Sequence, residues 1–180
     1  MKLQDIKLII GLGNPGKEYE KTYHNVGFLF INQKLKIKNQ NDNVKFKNAD
    51  FFEYLKINCL ILIKTKVFMN ESGKAVKETI KYFKVKPEEI LIIHDDSDIE
   101  IGKYKLSFNR GAAGHLGVQS IMDALGTKNF WRLRIGIRKK TGLPAEARQV
   151  KAGEMVLKKI SKKDLEILED VFKKSLENLF

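Results

Sequence analysis

A chain of 180 residues with 43% hydrophobic residues is most simply one globular domain, long enough to bury a hydrophobic core. Its formal net charge of +12 favours a polyanionic partner, and a nucleic acid is a better candidate than a membrane surface. A generally lysine-rich composition, without any such partner, would give the same excess of positive charge. The single cysteine rules out a disulfide within the chain, and we find neither a signal peptide nor an apolar stretch of membrane-spanning length, so we expect a cytoplasmic protein with no membrane association.

Apolar runs that alternate with helical patterns predict an α/β sandwich. Residues 59–63 and 90–93 are apolar at every position, which is typical of strands covered on both faces. Residues 34–47, rich in Lys, Asn and Gln, predict a polar surface loop, and Ser161 with Asp164 resembles a capping box. The predicted strands span 6–11, 51–57, 59–64, 90–94, 103–108 and 132–137, and the predicted helices span about 24–36, 70–84, 116–125 and 162–179.

The first predicted strand leads into Gly11-Leu12-Gly13-Asn14-Pro15-Gly16, which fits the G-x-G-x-x-G pattern of dinucleotide-binding loops. In such a fold the loop opens directly into an amphipathic helix, and an acidic residue about 20 positions on binds the ribose. Here residues 17–22 have no apolar face, and residues 32–38 contain no Asp or Glu. A dinucleotide-dependent oxidoreductase is therefore disfavoured, and the loop leads instead to Tyr23-His24-Asn25.

His24 is the best candidate general base, because an imidazole takes up and returns a proton near neutral pH. A surface histidine at a helix N-terminus explains the same position equally well. A catalytic histidine needs a partner that fixes its tautomer. Three carboxylates follow the predicted strand 90–94, and the spacing does not choose among them: Asp95, Asp96 and Asp98.

The same run of acids raises the possibility of a metal site. Residues 96–100 superficially start a calcium loop, but Gly102 comes one residue late and Ser107 stands where a Glu is required. No paired-cysteine or His-x-x-x-His spacing suggests zinc, so we expect no metal. His94, at the end of its apolar strand, is expected to be a hydrogen-bonded structural residue.

Two further loops carry candidate binding residues. In residues 68–74, Asn70 either caps the next helix or donates its amide to a developing oxyanion, while Phe68 and Met69 offer stacking surface or fill the core. The small residues of loop 109–117 allow a ligand to approach the backbone closely, or an anion to bind at the N-terminus of the following helix. A mobile lid explains the same composition equally simply.

Basic residues concentrate on two predicted strands of the second half. Lys103 and Lys105 alternate along one strand, and Arg132 and Arg134 alternate along the other, so each pair faces one side. Such pairs clamp phosphates or simply line a solvated sheet edge.

Together these motifs resemble those of bacterial peptidyl-tRNA hydrolases over nearly the whole chain. The resemblance rests on the order and spacing of the glycine loop with Tyr19 and His24-Asn25, Phe68-Met69-Asn70-x-Ser72-Gly73-Lys74-Ala75-Val76, His94-Asp95-x-x-Asp98, Gly114-His115-x-Gly117 and Phe130-x-Arg132-Leu133-Arg134-Ile135-Gly136-Ile137. It implies one domain over residues 1–180, a three-layer α/β sandwich with a twisted mixed sheet between helices, no metal or other cofactor, and a monomer without an obligate protein partner.

Residue by residue, the resemblance implies that His24 is the catalytic base and Asp95 its orienting carboxylate. Asn14 matches the position that helps distinguish N-blocked substrates from free aminoacyl-tRNA. Lys105 and Arg134 match a basic pair that grips a phosphate near the tRNA acceptor end. The other implied substrate-binding residues are Tyr19, Phe68, Met69, Asn70, His115 and Leu116.

The implied reaction is hydrolysis of the ester that joins a peptide to the terminal ribose of tRNA. One position departs from the family pattern, since Leu116 stands where the family usually has Asn, and the loop before it is altered at residues 107–110. The alternative function is therefore a non-catalytic RNA-binding relative with the same fold.

Overall fold

The computed structural model describes residues 5–38, 45–139 and 155–179, and within them it confirms an α/β fold. The strands are β1 (Leu8–Gly11), β2 (Lys47–Asn48), β3 (Phe52–Ile57), β4 (Leu60–Thr65), β5 (Ile90–Glu100), β6 (Tyr104–Phe108) and β7 (Trp131–Arg138). They form one sheet in the order β2-β3-β4-β1-β5-β7-β6. The sheet is mixed: β1 lies parallel to β4 and β5, and β5 to β7, whereas β2–β3, β3–β4 and β6–β7 are antiparallel.

Helices cover both faces of this sheet, which gives the predicted three layers. The helices are α1 (Val26–Lys38), α2 (Ser72–Phe83), α3 (Leu116–Leu125) and α4 (Lys162–Leu179). Side chains of α1 and α4, such as Phe30 and Phe172, pack on one face of the sheet with Ile9. Side chains of α2 and α3, such as Val76 and Ile121, pack on the other face. The central strands are therefore buried on both sides, as their continuous apolar runs predicted.

Local sequence patterns placed most elements within one or two residues. α3 and α4 have the predicted bounds, and Ser161 Oγ accepts a hydrogen bond from Asp164 N–H at 3.1 Å, which confirms the predicted cap of α4. Three-residue 3-10 turns at Tyr23–Asn25 and Met69–Glu71 replace the predicted first residues of α1 and α2.

The predicted polar loop at residues 34–47 is wrong at both ends. α1 continues to Lys38, since a lysine-rich sequence is as compatible with a helix as with a loop, and Lys47 begins β2, which pairs with β3. The intervening residues 39–44 lie outside the described residues. Cys59 does not begin β4 as predicted: Ile57 pairs with Leu60, so Asn58 and Cys59 form a two-residue hairpin turn, with Asn58 in the left-handed region at a φ of 53°.

Glycines let α1 pack directly against the strands below it. A Cβ on Gly27 would lie 2.4 Å from both the Leu12 backbone nitrogen and the Ile93 carbonyl oxygen, and one on Gly11 would lie 2.4 Å from the Gly27 carbonyl oxygen. Gly11 of the first loop thus serves backbone packing. This close contact brings the start of α1 to the carboxyl end of β1 and to the neighbouring residues of β5, the edge at which ligands bind in open α/β sheets.

Among the described helices, none has the length and hydrophobicity that crossing a bilayer requires.

Candidate active site

A cavity of about 820 Å³ opens at the carboxyl ends of the central strands. It gathers every residue that the sequence analysis assigned to catalysis or substrate binding except the basic pair, Lys105 and Arg134. We call it the cleft, and its lining consists of Asn14, Tyr19, His24, Phe68, Met69, Asn70, Asp95, Asp96, Ser97, Asp98, Ala113, Gly114, His115, Leu116, Val156 and Leu157.

His24 and Asp95 are in direct contact at the base of the cleft. The 3-10 turn that precedes α1 presents His24, whose Nδ1 lies 2.8 Å from Asp95 Oδ1 on β5. Of the other two acids, Asp96 contacts Arg134 instead, and Asp98 is exposed. Asp95 is therefore the one of these three acids that contacts His24, a choice that the spacing left open.

His115 is a second partner of the same carboxylate oxygen. Its Nε2 lies 3.1 Å from Asp95 Oδ1, while its Nδ1 accepts a hydrogen bond from Val118 N–H at 3.3 Å and so caps α3. Because Nδ1 accepts, the neutral ring carries its proton on Nε2 and donates it to Asp95. Burial alone would raise the pKa of Asp95, but the two imidazoles hold it far below its usual range.

The same three side chains are the only group in the described residues with the spacing of a metal site. One ligand atom each from His24, Asp95 and His115 lies within 4.8 Å of the others. The His115 atom that would bind a metal is the protonated Nε2, and moving that proton to Nδ1 would break the cap on Val118. The hydrogen-bond pattern thus favours a chain of proton donors and acceptors over a metal-ligand set.

His94 is buried, as predicted, although only half of its ring is satisfied. Nδ1 lies 2.6 Å from the Asp95 carbonyl oxygen, whereas Nε2 has no partner in the described part of the chain. Burial lowers the pKa of His94 well below its usual value, so this ring is neutral. It stands edge-on to His115, with ring centroids 4.6 Å apart.

A buried amide network fixes the glycine loop beside His24. Asn25 Oδ1 accepts from the Asn14 N–H at 2.8 Å, and Asn25 Nδ2 donates to the Asn14 carbonyl oxygen at 2.9 Å. Asn14 Oδ1 in turn accepts from Met69 N–H at 2.7 Å. The side chains of Asn14 and Asn25 therefore connect the loop after β1, the turn that carries His24 and the turn that carries Asn70.

Asn70 does not cap α2, which corrects one of the two interpretations of its position. The helix begins at Ser72 with Glu71 as its N-terminal flanking residue and no side-chain cap. Asn70 lies in the preceding 3-10 turn, is exposed, and faces the cleft. Nearby, Tyr19 and Phe68 meet edge to face with centroids 6.2 Å apart and form an aromatic wall of the cleft.

Leu116 is the first residue of α3 and is 66% exposed at the cleft. The next residue, Gly117, packs so closely on Met69 that a Cβ there would lie 2.5 Å from the sulfur. Leu116 therefore has a fixed position at the cleft while its side chain remains open to solvent.

The basic residues separate into two groups. Lys105 and Arg134 are paired across β6 and β7, so they lie side by side. Lys103 forms an ion pair with Glu100 at 3.2 Å. The predicted clamp that included Arg132 is wrong, because Arg132 is only 1% exposed.

Arg132 serves the loop before α3 instead. Its Nη2 donates to the carbonyl oxygens of Arg110 at 3.0 Å and Gly111 at 2.9 Å. Burial and the neighbouring Arg134 lower the pKa of Arg132 to about 10, against the opposing effect of Asp96, so it remains charged at neutral pH. These hydrogen bonds anchor the loop near its start, which does not favour the mobile-lid interpretation.

Sequence reasoning missed Ser97, Val156 and Leu157 in the cleft lining. Val156 and Leu157 belong to a short segment that runs beside the turn carrying His24: Ile160 N–H donates to the Lys21 carbonyl oxygen at 2.8 Å. No motif or periodicity marks this segment, since only the tertiary structure brings it to the cleft.

Comparisons with known proteins point to one family. The family model described as "Peptidyl-tRNA hydrolase" matches residues 8–179. A peptidyl-tRNA hydrolase of Lactobacillus gasseri is 47% identical over 135 residues, 74% of this chain and 72% of that protein. One from Aquifex aeolicus is 39% identical over 178 residues, 97% of this chain and 88% of that protein.

A solved structure gives the same result for the fold. The crystal structure of peptidyl-tRNA hydrolase from Acinetobacter baumannii superimposes with a TM-score of 0.82 at 31% identity, covering 97% of this chain and 87% of that one. Sequence and fold thus agree over almost the full length, and this chain belongs to the peptidyl-tRNA hydrolase family.

Proposed function

We propose that this protein hydrolyses the ester between the peptide, or another N-blocked aminoacyl group, and the terminal ribose of tRNA. The observation that carries the proposal is the contact between His24 and Asp95 at the base of an open cleft. Membership of the family supports the same reaction. We further propose that the protein acts as a cytoplasmic monomer that needs no cofactor and no obligate protein partner.

In the proposed mechanism His24 is the general base. Its Nδ1–H donates to Asp95, which leaves Nε2 unprotonated and available to a water molecule in the cleft. As that water attacks the ester carbonyl, His24 takes its proton and becomes positively charged. The buried Asp95 carboxylate stabilises this imidazolium, and His115 holds the carboxylate in place by its own hydrogen bond.

The tetrahedral intermediate then collapses without a covalent enzyme adduct. Its C–O bond to the ribose breaks, and His24 returns the proton to the departing ribose oxygen. One water is consumed, and the products are a free peptide acid and tRNA with a free ribose hydroxyl. Asn70, exposed in the turn before α2, is placed to donate its amide to the oxyanion.

Two groups of residues select the substrate. Asn14 Oδ1 is occupied by Met69 N–H, so its amide nitrogen is the atom left to donate to an acylated amino terminus. Tyr19 and Phe68 form apolar surface along the cleft. Lys105 and Arg134, on the neighbouring strands, would bind a backbone phosphate near the acceptor end of the tRNA.

Leu116, in place of the family's usual Asn, is the reason to consider a second function, RNA binding without hydrolysis. A relative that binds RNA without cleaving it would retain the basic pair but would not need an asparagine at the cleft. The contact of His24 with Asp95 favours the hydrolase, because simple RNA binding does not require a buried carboxylate to orient a histidine.

Incubation with N-acetyl-aminoacyl-tRNA tests the proposal directly. We expect release of the N-acetyl-amino acid and much slower cleavage of the same tRNA carrying a free amino group. The measurement is the loss of acid-precipitable label from the aminoacyl moiety, in chelator-treated buffer. Tight tRNA binding with no release of label would favour the RNA-binding alternative.

A further inference from the structure

Asp96 is a buried acid for which the proposed mechanism has no use. It follows Asp95 on β5, is 7% exposed, and lines the cleft. One carboxylate oxygen, Oδ2, accepts from Arg134 Nε at 2.6 Å. The other, Oδ1, accepts from Asp98 N–H at 2.9 Å. Each oxygen therefore has its own donor, and Asp96 joins the cleft to the arginine of the basic pair.

The geometry of this contact leaves Arg134 free to bind a second anion. Asp96 uses only Nε of the guanidinium, and Arg134 is still 18% exposed. A guanidinium carries five N–H donors in a fixed fork, so its remaining donors form a planar edge that suits a phosphate. Lys105 lies opposite Arg134 on β6 and adds a second cation at the same place.

The charges around Arg134 explain why it needs such a partner. Arg132 lies two residues earlier on β7, on the same face of the strand, and its guanidinium is buried. Two neighbouring guanidinium groups repel each other where the local dielectric constant is low. The carboxylate of Asp96, 2.6 Å from Arg134 Nε, offsets this repulsion.

We propose that Asp96 is a positioning residue that fixes Arg134 to receive a phosphate of the substrate, so that Asp96 contributes to the preference for tRNA over shorter esters. The inference rests on the proposed function, in which Arg134 binds a phosphate near the acceptor end. Asp96 acts through Arg134 and does not touch the reacting ester.

Asp96→Asn separates positioning from simple charge. Arg134 Nε and Asp98 N–H approach different carboxylate oxygens, so in the amide the NH₂ group, a donor, would face one of these two donors. Loss of a negative charge by itself should tighten tRNA binding, whereas loss of a fixed Arg134 should weaken it. The two explanations predict opposite signs.

The experiment compares N-acetyl-aminoacyl-tRNA with N-acetyl-aminoacyl-adenosine, which has the same ester and no phosphate. For Asp96→Asn we expect the KM for the tRNA substrate to rise roughly tenfold, as for one lost charge-assisted hydrogen bond. The kcat on both substrates, and the KM for the adenosine ester, should stay within about twofold of the natural protein's. Glu100→Gln is the matched control, because it removes an acid of the same strand that forms an ion pair with Lys103.

The double variant supplies the decisive comparison. In an Arg134→Ala background Asp96→Asn should have no further effect on KM, because its partner is gone. Arg134→Lys keeps the charge but has no Nε fork, so it should behave like Asp96→Asn, and this variant tests the idea if Asp96→Asn folds poorly.

Three results would overturn the inference: an unchanged or lower KM for tRNA in Asp96→Asn, equal losses on both substrates, or a loss that persists without Arg134. Full activity of Arg134→Lys would overturn it as well. Failure of the unaltered protein to cleave either substrate would instead refute the proposed function.

Discussion

At the scale of single residues, two histidines of the cleft share one carboxylate oxygen. Asp95 Oδ1 lies 2.8 Å from His24 Nδ1 and 3.1 Å from His115 Nε2. A buried anion is costly unless donors compensate it, and here two imidazoles do so. The same two contacts compensate the buried charge of Asp95 and fix the positions of the His24 and His115 rings.

His24→Ala tests the proposed role of His24 as the general base. We expect the rate of hydrolysis to fall by ~10²–10⁴-fold, the range for loss of a general base, with tRNA affinity unchanged. Single-turnover hydrolysis and filter binding on the same preparation measure the two quantities. Turnover close to that of the natural protein would remove His24 from the mechanism.

Leu116→Asn tests the departure from the family pattern. The side chain is 66% exposed, so the change should leave stability within about 0.5 kcal/mol. A new hydrogen bond to the substrate is worth roughly 0.5–1.5 kcal/mol, and we therefore expect KM to fall several-fold with little change in kcat. If the natural protein were inactive and this variant active, the RNA-binding alternative would be the better description.

At the scale of the elements, backbone contact between α1 and the strands below it places His24. A Cβ on Gly27 would meet backbone atoms of both β5 and the loop after β1, and backbone cannot move aside as a flexible side chain can. Gly27→Ala should therefore destabilise the protein by ~1–3 kcal/mol, as overpacked core positions do.

Chemical denaturation measures this difference. Gly111→Ala is the matched control, because a Cβ at Gly111 meets nothing within 4 Å. A Gly27→Ala variant as stable as the control would mean that α1 can shift without cost, and the placement of His24 would then need another explanation.

Asp164, near the start of α4, connects this helix to the turn that carries His24. Asp164 accepts hydrogen bonds from Tyr23 and Ser161 and lies 2.9 Å from Lys139 Nζ. Burial raises the pKa of Asp164, but these hydrogen bonds outweigh it and hold the pKa below its usual value. The unfolded chain therefore binds this proton more tightly than the folded one.

The stabilisation by Asp164 should be complete above its unfolded-state pKa of about 3.9 and should be lost as the pH falls through the lower folded-state pKa. Asp164→Asn should be less stable than the natural protein at pH 7 and should lose less stability between about pH 5 and pH 2. Urea denaturation across this range measures the effect. Asp170→Asn, on the exposed face of the same helix, is the control, and identical acid slopes for all three proteins would refute the assignment.

At the scale of the whole molecule, the basic residues behind the net charge of +12 differ in how accessible they are to a bound anion. Arg132 is buried beneath a loop, and Lys103 is paired with Glu100, whereas Lys105 is exposed beside Arg134. Lys105→Ala should therefore weaken tRNA binding and reduce the slope of log K against log salt by about one phosphate contact.

Titration of tRNA at several salt concentrations gives this slope. Lys81→Ala, an exposed lysine of α2 on the layer opposite α1, is the matched control for loss of one charge. Equal changes in both variants would mean that binding follows net charge and not a specific contact.

The sequence alone determined the α/β fold, the positions of most strands and helices and, through the order of its motifs, the family. These features follow from local patterns: continuous apolar runs mark buried strands, and the bounds of α3 and α4 depend on neighbouring residues that cap and pack. Chain order could not reveal that Arg132 is buried, because its burial depends on the loop and strands around it.

Only the tertiary structure decided how the candidate residues act on one another. His24 and Asp95 are 71 residues apart in the chain. The spacing did not choose among three acids as the partner of His24, whereas the structure places Asp95 against His24 and Asp96 against Arg134. The physical reason is that a strand alternates its side chains, so neighbouring acids on β5 point to different partners. Which partner each one meets depends on α1 and β7, and no local pattern in the sequence contains that information.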